Sequence, residues 1–151
     1  MASSTLRQRI ETTTRSFLAT FEDGSAEGDA AVINRDVTPD CKRYLLPASV
    51  PRAFNLPEDF SFDTNAFQGA FEKDLQVLKF KSNVIFNLVI DTEALRAAFT
   101  SLAVVEVTAT GETYPVEQSW YLYFTDDGSK VNKVIEFCDK DALLKMAAAS
   151  A

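Results

Sequence analysis

The stretch YFTDDGSKVNKVIEFCD, residues 123–139, predicts a hairpin of two strands. Asp126–Gly128 is a turn signal, and apolar and polar residues alternate on both sides of it, as they do in strands. The second strand carries Glu136 between Ile135 and Phe137, so neither of its faces is purely polar or purely apolar. Glu136 is therefore either an ordinary surface residue or a carboxyl group that points into a partly apolar cavity, where its pKa is shifted.

Further strands and helices are predicted on both sides of this hairpin. Four strands in series, an antiparallel meander, are predicted over residues 82–91, 96–112, 113–127 and 129–139. Before the meander, the pattern of apolar residues predicts a helix over 4–22, a short helix over 26–33, a strand over 37–47 and a helix from 63 or 64 to about 79. Residues 48–62 are a proline-containing loop that can cover a cavity, and Asp139 caps a short final helix. This order predicts an α+β fold in which the helices pack on one face of a bent sheet.

The bulk composition indicates one soluble domain over residues 1–151. The chain is 46% hydrophobic and 25% charged, which is enough to bury a core, and its 12 phenylalanines suit an apolar cavity. A net charge of −7 argues against nucleic acid and against anionic membranes as partners. The start, MASSTLRQR, has no signal-peptide core, no apolar run is long enough to span a bilayer, and the two cysteines lie far apart. We therefore expect a cytoplasmic protein with free thiols.

The chain contains no histidine. This removes the usual general base, the usual zinc ligand and the usual partner of a catalytic serine. We expect no metal site, and any catalysis must use Asp, Glu, Tyr, Lys, Arg or Cys.

The strand over 113–127 places polar groups on its apolar face. Its even residues are mostly apolar, so Tyr114, Gln118 and Trp120 are predicted to face inward. A buried amide costs about 1–3 kcal/mol unless it is hydrogen-bonded, so Gln118 indicates a pocket lining. The alternative is an amide at a frayed strand end that bonds to the backbone or to water.

The hairpin brings Glu136 near Gln118 and Tyr114. With Asp127-Gly128 as the turn centre, Glu136 lies opposite about position 119. In an apolar cavity its pKa would rise, and a nearby arginine would lower it again. The alternative is a solvent-facing carboxylate paired with Lys133 or Lys81.

Two positions before and within the first strand are further candidates. Arg35 follows the short helix, so its charge can complement the helix dipole. Alternatively, its guanidinium can donate hydrogen bonds to a substrate carbonyl or to Glu136. Arg43 and Tyr44 alternate on the strand, so one of them faces inward, and we predict that it is Tyr44.

The segments RDVTPDC, LLPAS and YFTDDGSKVNKVIEFCD, in this order and spacing, resemble the SnoaL-like, NTF2-like cone-fold proteins of fungal secondary metabolism. The resemblance covers nearly the whole chain. It implies a curved, mostly antiparallel sheet whose N-terminal helices close a deep pocket, and a homodimer formed through the sheet. Members of this group include cofactor-free isomerases, cyclases and hydrolases that act on polyketide, meroterpenoid or indole-alkaloid intermediates.

The resemblance also implies a site and an activity. Arg35, Tyr114 and Glu136 would be catalytic, and the substrate-binding residues would be Gln118, Trp120, Tyr44, Phe67 and Phe71. The expected function is a cofactor-independent isomerase or cyclase that uses acid–base catalysis on a bulky, apolar natural-product intermediate, for example in a semipinacol-type rearrangement. The alternatives are a non-catalytic ligand-binding or association module, and a dehydratase or hydrolase on the same scaffold.

Overall fold

The computed structural model describes the backbone of residues 2–151 and the side chains from Thr5 onward. The helices are α1 (Ala2–Glu27), α2 (Ser49–Ala53), α3 (Thr64–Val77) and α4 (Lys140–Ser150), with a 3-10 helix at Ala30–Asn34. The strands are β1 (Val37–Leu46), β2 (Ser61–Phe62), β3 (Leu78–Asp91), β4 (Arg96–Val107), β5 (Thr113–Phe124) and β6 (Val131–Phe137). Within the described residues, no helix combines the length and the apolar character needed to cross a bilayer.

The six strands form one curved, unclosed sheet in the order β2-β1-β6-β5-β4-β3. Strands β3 to β6 are the predicted antiparallel meander, and β1 joins its edge parallel to β6. The predicted fold class is confirmed: the chain is α+β with a mostly antiparallel sheet.

The two faces of the sheet differ sharply. The inner face carries Phe99, Trp120 and Val134, all at most 3% exposed, and packs against α1. Phe17 of α1 meets Trp120 edge-on, with ring centroids 5.9 Å apart. The outer face carries the alternate residues and has no layer packed on it among the described elements.

Helix α1 is longer than the predicted helix over 4–22, because Gly24 does not end it. A Cβ at Gly24 would lie 2.8 Å from a ring carbon of Phe71, so this glycine allows α1 to approach α3 closely. The helix ends before Gly28, whose φ of +65° favours glycine. The helix predicted over 26–33 is the shorter 3-10 helix, whose first turn is capped by the Asp29 side chain.

The hairpin register differs by one residue from the predicted register. Glu136 lies opposite Trp120 and not opposite position 119, because the pairing shifts between Tyr123 and Phe124. Such a bulge inserts one extra residue in one strand, and a shift of one residue moves a side chain to the other face. The bulge therefore places Glu136 on the inner face, together with Gln118.

The loop predicted over 48–62 contains α2 and the short strand β2. Strand β2 pairs antiparallel with β1, with Phe62 opposite Arg43 and Ser61 opposite Tyr44. This pairing extends the sheet beyond β1 and brings the loop beside the end of β1 where Arg43 lies.

Candidate active site

Three adjacent strands bring polar side chains together on the inner face. Arg43 of β1 lies opposite Val134, and Glu136 of β6 lies opposite Trp120. Gln118, two residues before Trp120 on β5, shares the same face. Each of these residues is on the face of the sheet whose apolar residues pack against α1.

Glu136 is a hydrogen-bonded carboxyl group deep in the molecule. The Gln118 amide Nε2 donates to its Oε2 at 2.8 Å, and the Cys138 thiol donates to the same oxygen at 3.5 Å. Burial raises the pKa of Glu136, while these two hydrogen bonds and the charge of Arg43 act in the opposite direction. The residue as a whole is only partly exposed, so the carboxyl group is largely shielded from solvent.

Arg43 is the cation of this site. The residue is 3% exposed, its Nη2 donates to the Ile33 carbonyl at 2.9 Å, and its guanidinium lies 4.0 Å from the centroid of the Phe67 ring. Burial lowers the pKa of Arg43 to about 10, opposed by Cys41 and Glu136, so the group stays charged at neutral pH. Its Nη1 is buried and has no hydrogen-bond partner among the described residues.

Two acceptor atoms on the inner face also lack a partner in the described part of the chain. They are Gln118 Oε1 and Asn83 Oδ1, both buried. An unpaired buried polar atom costs about 1–3 kcal/mol, so such atoms on one face indicate a place where a ligand supplies the missing bonds. Gln118 is the one of the two that contacts Glu136, so beside this carboxyl the unpaired groups are one acceptor, Gln118 Oε1, and one charged donor, Arg43 Nη1, whereas Asn83 lies on β3 at the far side of the sheet from β1. No group of three or more Cys, Asp or Glu side chains within the described residues could hold a metal ion.

Arg35 does not join this site, and its predicted meeting with Glu136 is wrong. Its guanidinium is partly exposed, forms ion pairs with Asp23 at 2.9 Å and Asp36 at 3.4 Å, and donates to the Ser16 carbonyl at 2.9 Å. These contacts hold the side chain against α1, so Arg43 and not Arg35 is the arginine near Glu136.

Tyr44 faces outward, which also contradicts the prediction. It lies opposite Ile135, and the Lys133 ammonium is 5.2 Å from the centroid of its ring. Arg43 takes the inner position because the Ile33 carbonyl and the Phe67 ring receive its guanidinium there. Cys41 lies two residues before Arg43 and is 1% exposed. Its apolar side chain is the feature of the sequence that indicates the inward face of β1, but a single cysteine on a strand is weak evidence for burial.

Tyr114 faces inward, as predicted, but it lies near the start of β5. Its ring packs in a cluster with Val105 and with Met146 of α4, and its hydroxyl donates to the Glu112 carboxylate at 3.5 Å. No contact joins it to the Gln118–Glu136 pair in the described structure, and its catalytic role stays a prediction.

The predicted aromatic residues divide between the core and the site. Trp120 is 1% exposed, donates from its indole N–H to Ser101 Oγ at 2.8 Å and stacks on Phe99. Phe71 is 2% exposed. Trp120 and Phe71 therefore support the site from the core, whereas Phe67 is partly exposed directly beneath Arg43.

The architecture is that of an NTF2-like cone, and Arg43, Gln118 and Glu136 lie on its inner face. The resemblance to SnoaL-like fungal proteins is confirmed at the level of the fold by solved structures. BvnE pinacolase from Penicillium brevicompactum has a TM-score of 0.78 and 18% identity, covering 95% of this chain and 94% of that one. PrhC from Penicillium brasilianum has a TM-score of 0.75 and 22% identity, covering 95% and 91%.

A third similar structure, AusH from Aspergillus nidulans, has a TM-score of 0.72 and 16% identity, covering 88% of this chain and 85% of that one. No protein-family model and no curated protein sequence matches the chain. At these identities the structural likeness establishes the fold, and the activity has to be argued from the site.

Proposed function

We propose that this protein is a cofactor-independent isomerase or cyclase that uses acid–base catalysis on a bulky, mostly apolar intermediate of fungal secondary metabolism. The observation that carries the proposal is Glu136, a carboxyl on the inner face whose pKa is raised by burial, which is hydrogen-bonded to Gln118 and lies within the electrostatic influence of a buried arginine with an unpaired N–H. A carboxyl group with a raised pKa can both accept and return a proton. The fold shared with a fungal pinacolase supports the same reaction class.

A semipinacol-type rearrangement fits the chemistry of these groups. The Glu136 carboxylate removes the proton of a substrate hydroxyl, and a C=O bond forms as a carbon substituent migrates from the carbinol carbon to an adjacent electrophilic carbon. Arg43 Nη1 donates to the oxygen, which carries negative charge as the proton leaves. A proton is then added to the atom that received the electron pair, so the product has the same mass as the substrate.

This reaction needs no strong nucleophile. One positioned proton transfer contributes about 10²–10⁴-fold in rate, and holding a flexible substrate in the reactive conformation contributes more. A half-buried Phe67 under the guanidinium offers an apolar surface for the hydrocarbon part of the substrate.

A non-catalytic binding module is the alternative. It would gain little from Glu136, because burial of a carboxyl group costs free energy that a binding protein could avoid with an amide. A dehydratase or a hydrolase would use the same residues and would differ in losing or adding water.

The test incubates the wild-type protein with a panel of polycyclic α-hydroxy imines and α-hydroxy ketones and follows the products by chromatography and mass spectrometry. We expect conversion to isomers of unchanged mass for at least one scaffold. A mass change of 18 would identify a dehydratase or hydrolase instead. Binding without any conversion above the buffer background across the panel would contradict the proposal and support the binding module.

We also propose that two copies of the chain associate through the outer face of the sheet. The apolar residues exposed on this face are Leu46, Val84, Phe86, Val89, Tyr121 and Phe137, between 39% and 63% exposed. Two grooves of about 760 and 380 Å³ run along this face, and the larger one is also lined by Gln118 and Cys138. A contiguous apolar surface of this kind is typical of a protein interface.

The distribution of charge on the outer face favours a second copy as the partner. Arg96 and Lys133 lie near the Tyr123 end of β5, at 3.5 and 4.8 Å from the Tyr123 ring centroid, and Glu117 lies toward its other end. A two-fold axis through the middle of β5 brings the basic end of one copy against the acidic end of the other. The charges of the two copies are then complementary at the interface, although each chain has a net charge of −7.

Substitution on this face should dissociate the dimer. Phe86→Asp combined with Tyr121→Asp places charges in the apolar contact, so we expect sedimentation equilibrium to show a monomer where the wild type is a dimer. The control is Phe54→Asp, which changes an equally exposed phenylalanine outside the sheet. A monomeric wild type at tens of micromolar, or equal dissociation by Phe54→Asp, would contradict the proposal.

A further inference from the structure

The two oxygens of the Glu136 carboxyl group have different surroundings. The Gln118 amide Nε2 donates to Oε2 at 2.8 Å, and the Cys138 thiol donates to the same oxygen at 3.5 Å. No donor among the described residues contacts Oε1. Oε1 is also not one of the fully buried polar atoms without a partner, so it keeps some accessible surface. The protein therefore holds one oxygen of Glu136 and leaves the other open.

Gln118 is the stronger of the two donors. At 2.8 Å its amide makes a short N–H···O hydrogen bond, and the acceptor is a carboxylate. The Cys138 thiol is a weak donor, and it also lies 3.6 Å from the backbone carbonyl oxygen of Glu136, so its single hydrogen is shared. An ionised carboxylate can only accept, so the Gln118 amide must present its nitrogen to it. Gln118 is thus the main group that sets the orientation of the carboxylate.

The backbone beneath Gln118 is held at the end of the sheet. Gln118 lies just beyond the last pair of the β5–β6 ladder, which joins Ser119 and Phe137. Asp139 continues the connection there, because its Oδ2 accepts a hydrogen bond from the Glu117 N–H at 3.1 Å. The residue before Gln118 is therefore tied to the residue that caps α4.

Cys138 is held from the side of β1. Its N–H donates to the Leu46 carbonyl at 2.7 Å, and the residue is 6% exposed. Gln118 and Cys138 both line the larger groove of the outer face, whereas Glu136 does not, so the two donors lie between that groove and the carboxylate. A catalytic group needs such support, because a misplacement of about 1 Å costs about 10²-fold in rate.

We propose that Gln118, assisted by Cys138, is a positioning residue that holds Glu136 Oε2 and leaves Oε1 as the oxygen that takes the substrate proton. The inference rests on the proposed function, and it changes the expected role of Gln118 from substrate binding to orientation of the base. In the reaction the substrate O–H bond breaks, an O–H bond forms at Oε1, and the electron pair left on the substrate oxygen forms the C=O bond. The proton then leaves Oε1 for the atom that receives the migrating electron pair, which restores the carboxylate.

The groups that influence the charge of Glu136 lie on the sheet and on α3. Burial raises the pKa of Glu136, whereas the hydrogen bonds from Gln118 and Cys138 lower it. The charge of Arg43 on β1 lowers it as well. Asp74 of α3 is an exposed acid that interacts with Glu136 through charge, without a contact. Removal of the Gln118 donor should therefore raise the pKa of Glu136, because the ionised form loses its stronger hydrogen bond.

The experiment compares the wild type with Gln118→Met, which keeps the length of the side chain and removes the amide. Each protein is assayed with the α-hydroxy imine or ketone that the wild type converts. We expect Gln118→Met to lower kcat by about 10–100-fold with KM changed less than threefold. Activity requires ionised Glu136 and falls as the pH falls through its pKa, so the acidic limb of the pH profile should move to higher pH. The matched control is Ser119→Ala, on the other face of the same strand, which should match the wild type.

Cys138 provides a second pair of variants, which also serves if circular dichroism shows that Gln118→Met does not fold. Cys138→Ser keeps a donor, so we expect its kcat to stay within threefold of the wild type. Cys138→Ala removes the donor and should lower kcat by a smaller factor than Gln118→Met, because the thiol is the weaker donor. Its acidic limb should move in the same direction.

An NMR titration adds a readout that needs no substrate. With ¹³C confined to the glutamate carboxyl carbons and ¹⁵N to the glutamine side chains, one glutamate resonance should titrate together with the Gln118 amide signal. Both changes should be absent in Glu136→Gln. In Gln118→Met the glutamate resonance should titrate at higher pH, and Asp74 carries no label and does not contribute.

The outcomes separate this inference from the proposed function. Wild-type conversion with unchanged kcat and pH profile in Gln118→Met and Cys138→Ala would overturn the positioning role and leave the proposed function standing. A raised KM at unchanged kcat in Gln118→Met would also overturn it, because Gln118 would then bind the substrate. Absence of conversion by the wild type would overturn the proposed function and this inference with it.

Discussion

Glu136→Gln is expected to lower kcat by about 10²–10⁴-fold, the contribution of a positioned proton transfer. Glutamine keeps the size of the side chain and an oxygen that can accept the Gln118 amide hydrogen bond at the position seen at 2.8 Å. It cannot accept a substrate proton at neutral pH. The loss should therefore appear in kcat and leave the circular dichroism spectrum unchanged.

The control for this variant is Glu93→Gln, which removes an exposed carboxylate in the turn between β3 and β4. It should keep full activity. If Glu136→Gln converts the substrate within threefold of the wild-type rate, Glu136 is a structural group and the acid–base mechanism is wrong.

Arg43→Met is expected to lower kcat by about 10²–10³-fold, the effect of removing one preorganised donor from a developing oxyanion. Methionine retains an unbranched apolar chain beside Phe67, so much of the packing survives. The Ile33 carbonyl loses its donor, which costs about 1–3 kcal/mol of stability, so the melting temperature should fall. The pKa of Glu136 should rise further without the nearby cation.

Arg35→Ala is the matched control, because it removes an arginine that the structure places in surface ion pairs with Asp23 and Asp36. The pair with Asp23 is largely exposed and contributes about 0–1 kcal/mol, so the activity should stay close to that of the wild type. Some stability should be lost, because Asp36 is only 14% exposed and the Ser16 carbonyl loses its donor. An activity loss in Arg35→Ala as large as that in Arg43→Met would show that the structure assigns the wrong arginine to the site.

The local signals in the sequence predicted most of the elements. Asp63 and Asp139 begin α3 and α4 as expected, and each accepts a hydrogen bond from a backbone N–H three residues later, at 2.7 and 3.1 Å. The turn at Asp126–Gly128 joins β5 and β6, and Gly128 has the positive φ of +74° that a glycine permits. Each of these features depends on neighbours within a few residues, so each can be predicted from the sequence.

The composition of the site was only partly predictable. The carboxyl of Glu136 and the amide of Gln118 were singled out as polar groups on apolar faces, and they are hydrogen-bonded to each other. Tyr44 and not Arg43 was predicted to face inward. Alternation shows that one of two neighbouring strand residues faces inward, but it does not show which one.

The sequence by itself determined the long helices, the antiparallel meander and the absence of histidine from any mechanism, but not α2 and β2. The tertiary structure decided which face each side chain occupies. Glu136 faces inward because a bulge between Tyr123 and Phe124 shifts the hairpin by one residue, and Arg35 is held at the surface by Asp23 on α1. Both outcomes depend on pairing between distant segments, and with a period of two residues a single shift in that pairing exchanges the inner and outer faces.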